Sequence, residues 1–306
     1  MTTTTLSDRI EYLETSYVDT TPEQPVANPP ILKLVQLGFQ TLGGLFPAQA
    51  AQIAYQLFST PRIRARHKTS DEILESARIF EFMYGKQLLK GYEWGRGERT
   101  ILLVHGWESR GTALRTFAPA LVRQGFRVVA FDGPAHGNSG GKRTNLIHFA
   151  GAVQAAMRQV GTVHGIIAHS FGGAATVYAL ANARQPLPIE KLVLVATPNS
   201  MEKVLQETID TLKLTKQVSR RFFRLVEQRL QTPVHAADVS QAYDRLQVAH
   251  TLVVHDKLDP VVPFAAAETI MAHWPKATLL ASEGYGHYRL MKNPDLVERV
   301  ARFIAD

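Results

Sequence analysis

Beyond residue 99 the chain alternates short continuous apolar runs with stretches of amphipathic helical period. The runs at 100–104, 126–131, 165–168, 191–196, 251–254 and 277–281 are apolar on consecutive positions, as strands buried on both faces must be. Between and after them, 113–124, 146–160, 172–183, 265–273 and 294–304 repeat their apolar residues at helical spacing. Strands alternating with helices predict a parallel sheet covered on both sides. Just upstream, 79–84 and 87–94 flank Gly85-Lys86 and predict a hairpin at the antiparallel edge of that sheet.

Two regions depart from this rhythm. Between 196 and 251 lie about fifty residues of mostly helical pattern, far more than one ordinary connection requires. They predict an inserted helical cap (199–248) over the strand ends, where an open α/β sheet binds its ligand. The expected organisation is therefore an N-terminal helical extension (1–75), a core made of 76–198 with 249–306, and that cap. In the extension, the segment up to about Thr21 is polar and expected to be poorly ordered at its start, and Pro22, Pro25, Pro29 and Pro30 form an extended linker. Leu34 to Pro61 then contains no charged residue. Its length would span a bilayer, but Gln36, Gln40, Gln49, Gln52 and Gln56, with Gly43-Gly44 and Pro47, favour two short helices broken near Gly44-Pro47. Attachment to a membrane surface through this segment stays open.

Of the 306 residues, 45% are hydrophobic and 20% charged, enough apolar content for a substantial core. The absence of cysteine excludes disulfides, thiolate metal sites and a cysteine nucleophile. The N-terminus lacks the basic start and apolar run of a signal peptide, so a cytoplasmic location is expected. The net charge of +7 raises the question of nucleic acid. The basic residues cluster as Arg62, Arg64, Arg66 and Lys68, and as Lys213, Lys216, Arg220, Arg221, Arg224 and Arg229. The second set is interleaved with Leu and Phe at helical spacing, the mark of a solvated helix face, and no nucleic-acid partner is expected.

Candidate chemistry falls on loops at the carboxyl ends of the strands. Ala168-His169-Ser170-Phe171-Gly172-Gly173 has the form of a nucleophile elbow, a tight strand-to-helix turn that holds a serine hydroxyl clear of the backbone. Ala168 replaces the first glycine of that pattern. His105-Gly106-Trp107 follows the first parallel strand; the backbone N–H groups of Trp107 and Phe171 are candidate oxyanion donors, and Gly106 lets the chain pass close to substrate. His105 and His169 are further candidate pocket residues, with a structural hydrogen bond the simpler role for His105. In 132–141 the density of Gly and Pro marks a shaping loop, with His136 and Ser139 structural or pocket-lining. Asp256 and Asp259 compete to orient an imidazole; Asp259 is favoured by its place deeper in the loop, and Asp256 is the candidate brace. His287, between Gly286 and Tyr288, can reach across the sheet top.

The order Ser170, Asp259, His287, each just beyond a strand, gives these signals joint weight. A serine hydroxyl needs a base to take its proton, and that imidazole needs a carboxylate to fix its tautomer. The motifs 105–107, 132–139, the Ser170 elbow, 259–263 and Gly286-His287 resemble the α/β-hydrolase superfamily from about Ile79 to the C-terminus, and look closest to its capped bacterial esterase- and lipase-like branch. The resemblance implies a mostly parallel sheet of about eight strands and a triad of Ser170, Asp259 and His287. The expected activity is hydrolysis of a hydrophobic small-molecule ester or acyl compound through an acyl-enzyme, with no metal or organic cofactor. Thioesterase, lactonase, acyltransferase, peripheral-membrane lipid hydrolase and a non-catalytic binding module remain alternatives. In the cap, Phe222, Phe223, Leu225 and Leu230 read as its own packing core sooner than as an acyl pocket.

Overall fold

A computed structural model describes residues 7–13, 30–66 and 70–306. The expected linker positions Pro22, Pro25 and Pro29, and Lys68, lie outside these residues. The chain enters through β1 (Ile10–Tyr12), followed by α1 (Ile31–Leu45), α2 (Pro47–Phe58) and the single turn α3 (Glu72–Glu75). The hairpin β2 (Arg78–Tyr84) and β3 (Gln87–Trp94) leads into β4 (Thr100–Val104), α4 (Ala118–Arg123), β5 (Arg127–Phe131) and α5 (Leu146–Val160). Then come β6 (Val163–His169), α6 (Phe171–Ala181), β7 (Ile189–Val195), α7 (Met201–Leu212) and α8 (Lys216–Leu230). The chain closes with β8 (Val248–Asp256), α9 (Ala265–His273), β9 (Ala277–Ser282) and α10 (Pro294–Ala305).

The strands form one sheet of nine in the order β1-β9-β8-β7-β6-β4-β5-β3-β2. Among the described residues only the pairs β2–β3 and β3–β5 are antiparallel. The core follows from strand alternation. Leu102, Val104, Ile166, Ala168, Leu192 and Leu194 point to the face covered by α5, α6, α9 and the helices of the insertion. Ile101, Leu103, Ile167, Val193 and Val195 point to the other face, against α4 and α10.

Two elements differ from the expectation. The ninth strand among the described residues, β1, comes from the segment read as polar and poorly ordered at its start, and pairs parallel to β9 from Ile10↔Leu279 to Tyr12↔Ala281. The Arg9 guanidinium anchors it by donating to the carbonyls of Met271, Trp274 and Ala277. The stretch 113–124 is not one helix but a 3-10 segment (Gly111–Phe117) followed by α4. Pro119 explains the break, because it lacks an N–H and its ring clashes with the carbonyl four residues back. Pro47 does the same between α1 and α2, where it takes the first position of the second helix.

The insertion after β7 is helical throughout α7 and α8 and ends in two 3-10 turns. Phe222 is fully buried, with its ring edge-on to Phe58 of α2 at 5.7 Å. Leu230 is buried as well, while Phe223 and Leu225 are half-buried. Phe222 thereby packs α8 against α2, and the other three join the same apolar cluster.

Candidate active site

The chain steps from β4 to β5 on one side and then crosses to β6 on the other, so the strand order reverses at the β4/β6 pair. Ligand crevices of open α/β sheets form at such switch points, outside the carboxyl ends of the strands. Ser170 follows β6 and Trp107 lies in the loop after β4. Ser170 is held at φ 54°, ψ −128°, a strained conformation for a residue with a side chain. Its N–H donates to Val195 O at 2.8 Å, and its carbonyl accepts from Gly173 N–H at 2.8 Å. The elbow is therefore fixed from both sides.

The glycines of this turn have specific reasons. A Cβ on Gly172 would lie 2.3 Å from the carbonyl oxygen of His105, and one on Gly173 2.0 Å from Thr197 Oγ1. Ala168, by contrast, sits within β6 between Val104 and Leu194, where its methyl joins the core. The departure from glycine at that position costs nothing sterically. Gly172→Ala is accordingly expected to lose about 3 kcal/mol of stability or more, because backbone rather than a mobile side chain blocks the new methyl. Denaturant unfolding measures this; an unchanged midpoint would contradict the close approach of α6 to β4.

His287 bridges the other two candidate residues. Its Nδ1 is 2.7 Å from Asp259 Oδ2 and its Nε2 3.0 Å from Ser170 Oγ. Asp259 Oδ1 accepts from the N–H groups of Val261 and Val262 at 2.7 and 2.8 Å. Burial pushes the Asp259 carboxyl up, but the hydrogen bond and charge of His287, with those two amides, outweigh it and hold the group below its ordinary value. An ionised carboxylate accepting from Nδ1–H leaves Nε2 as the acceptor facing Ser170. Asp256 lies apart from His287: Oδ1 accepts from Leu258 and Gly284 N–H, and Oδ2 from Ser282 Oγ and Tyr285 N–H. It braces the Asp259 loop against the His287 loop.

The candidate oxyanion donors sit beside the serine. A Cβ on Gly106 would be 3.0 Å from Ser170 Cβ, so the backbone leading to Trp107 runs directly against the elbow. Phe171 opens α6, where no carbonyl a turn behind claims its N–H. Neither this N–H nor that of Trp107 is engaged in a hydrogen bond among the described residues. Their rings pack edge-on at 5.2 Å, and each also packs in the same way on a neighbour, Trp107 on His136 and Phe171 on Phe149. The two amides are thus tied to one aromatic cluster.

His105 and His169 do not occupy an open pocket. His105 is fully buried, accepting from Gly133 N–H at Nε2 and donating from Nδ1 to the Gly106 carbonyl. His169 donates from Nε2 to the His287 carbonyl at 3.0 Å and packs its ring 4.7 Å from that of His287. Both rings are taken up by hydrogen bonds to neighbouring backbone. His136 accepts from Glu108 N–H, and Ser139 Oγ donates to Asp132 O, so both belong to loop architecture. The sequence reading overlooked His255, which donates to Val262 O at 2.8 Å and lies 3.6 Å from Asp259 Oδ2. Its signal was its position at a strand end, one residue before Asp256.

Burial pushes His105 down to about 4, and His136 and His169 to about 3, from an ordinary 6.5. These histidines stay neutral when folded but take up protons when unfolded as pH drops below about 6.5. Their stabilising contribution is complete above that pH and is lost progressively as pH falls toward 4. The melting temperature is expected to decline steadily between pH 6.5 and 4; a flat profile there would show that the three rings are not held neutral.

A family model described as alpha/beta hydrolase fold matches residues 99–236, and one described as TAP-like protein matches residues 228–306. Together the two matches span residues 99–306 and, with the fold, support an α/β-hydrolase superfamily member and hydrolase activity. No curated protein matches its sequence. Among solved structures it is similar to an esterase from Pyrococcus furiosus (18% identity, TM-score 0.59, covering 80% of this chain and 96% of that one). A bromoperoxidase from Bacillus anthracis is similar at 18% identity and TM-score 0.57, covering 76% of this chain and 100% of that one. A membrane phospholipase A, a bacterial virulence factor, is similar at 17% identity and TM-score 0.57, covering 89% of this chain and 95% of that one. At such identities the likeness is one of fold.

Proposed function

We propose that this protein is a serine hydrolase that cleaves carboxylic esters through an acyl-enzyme. The observation that carries the reading is the position of His287, within hydrogen-bond distance of Ser170 Oγ on one ring nitrogen and Asp259 on the other. In the proposed reaction His287 Nε2 takes the proton of Ser170 as Oγ attacks the acyl carbonyl. Asp259 stabilises the imidazolium that results. The N–H groups of Trp107 and Phe171 receive the negative charge developing on the carbonyl oxygen, a contribution of about two to three orders of magnitude per donor. Collapse of the tetrahedral intermediate breaks the bond to the alkoxy oxygen, which leaves as the alcohol with the proton from His287. Water then attacks the acyl-serine, giving its proton to His287, and the acid departs as Oγ is reprotonated. Residues 199–248 are proposed as the cap that shapes a hydrophobic substrate pocket, and His105 and His169 as supports that hold the Trp107 and His287 loops.

Intact mass spectrometry of protein quenched during turnover of a p-nitrophenyl ester tests the route. A mass increase equal to one acyl group, lost on further incubation and absent from Ser170→Ala, is expected. Turnover without any acyl adduct under rapid quench, retained in Ser170→Ala, would overturn it.

A further inference from the structure

The outward side of α1 is apolar, which a helix on the surface of a water-bathed protein normally avoids. Leu32, Val35 and Phe39 turn inward to the core. On the other side Ile31, Leu34, Leu37, Leu42 and Leu45 are 55–72% exposed. They share one face, because Ile31 and Leu42, and Leu34 and Leu45, are each eleven residues apart, about three helical turns. Phe46, just beyond, is exposed as well, as are Ile53 and Leu57 of α2.

The segments that neighbour this face are rich in cations. The described residues 30–66 carry four lysines and arginines (Lys33, Arg62, Arg64 and Arg66) and no acidic residue, with Arg62 paired to Glu108. Between Asp210 and Glu227 there are another five (Lys213, Lys216, Arg220, Arg221 and Arg224), again with no acid. The two segments are packed together: Gln36 Nε2 donates to Thr211 O at 2.8 Å, and Gly43 abuts Val218. Lys213 and Lys216 therefore flank α1. In the cleft between α7 and α8, Lys216, Arg220 and Arg224 surround Phe223 and Ile209 and form no ion pair among the described residues.

We infer that the outward face of α1, flanked by these cations, docks the protein on an anionic lipid bilayer. The apolar side chains enter the acyl boundary while the lysines and arginines meet the lipid phosphates. The helix has 15 residues, and no helix among the described residues is long and apolar enough to cross a membrane, so α1 lies along the interface. Beyond α2 the chain runs to the candidate site, where Arg62 N–H donates to Glu108, the neighbour of Trp107.

The test is flotation of the full chain with phosphatidylcholine vesicles, with and without about one third phosphatidylglycerol. Binding is expected only to the anionic vesicles and is weakened strongly at about 0.5 M salt. The exposed double substitution Leu34→Gln/Leu45→Gln should reduce the affinity at least about tenfold. Removing Arg220 and Arg224 should cost about fivefold for each. The cysteine-free chain offers a second readout. A polarity-sensitive dye on Leu45→Cys should shift to the blue with anionic vesicles, and one on Arg302→Cys of α10, across the sheet, should not. Failure of wild type to float with anionic vesicles would overturn the inference. So would a dimer in solution that the leucine substitutions dissociate without any vesicle binding, since a second copy would then be the occupant.

Discussion

Ser170→Ala is expected to lower kcat/KM for ester hydrolysis by about four to six orders of magnitude while leaving the fold intact. The chain has no cysteine, and Ser139, on the loop after β5, donates its hydroxyl to Asp132 O in a buried bond. The substitution also leaves the elbow's own restraints, the bonds to Val195 and Gly173, untouched because both are made by backbone. Any residual rate above water would report the Trp107 and Phe171 amides acting without a nucleophile. A loss of activity accompanied by unfolding would not fit, because alanine at this position removes one hydroxyl and creates no clash.

Asp259→Asn should reduce kcat by about four orders of magnitude with little change in structure. The asparagine carbonyl oxygen can still accept from Val261 and Val262, and its amide nitrogen then faces His287 Nδ1. An amide there donates, so Nδ1 must accept and the ring proton moves to Nε2. That nitrogen can no longer take the proton of Ser170. Asp256→Asn gives the contrasting outcome: it disturbs the brace that receives four donors, lowering stability while catalysis in the folded fraction persists. Measuring kcat and the unfolding midpoint for both variants separates the two aspartates. Equal losses of kcat would deny Asp259 its distinct role.

Much of the architecture was legible because the strands from β4 onward are buried on both faces and read as uninterrupted apolar runs. The break at Pro47 was equally readable. β1 was not, since three residues give no period and its pairing partner lies more than 260 residues away in sequence. Nor was the division at Pro119, where a helical spacing of apolar residues continues across a residue that interrupts the hydrogen bonding. In the site, chain order and strand-end position led to Ser170, Asp259 and His287, which are the residues that meet in space. The roles of His105 and His169 were less readable, because burial of an imidazole depends on what packs over it. The partners of those rings, Gly133 N–H and the His287 carbonyl, come from distant loops.

The most direct measurement is labelling of the folded protein with a fluorophosphonate probe, followed by peptide mapping. Stoichiometric modification of Ser170, abolished in Ser170→Ala and strongly slowed in Asp259→Asn, is the predicted result. Absence of labelling in folded wild-type protein, or modification at a residue other than Ser170, would contradict the assignment.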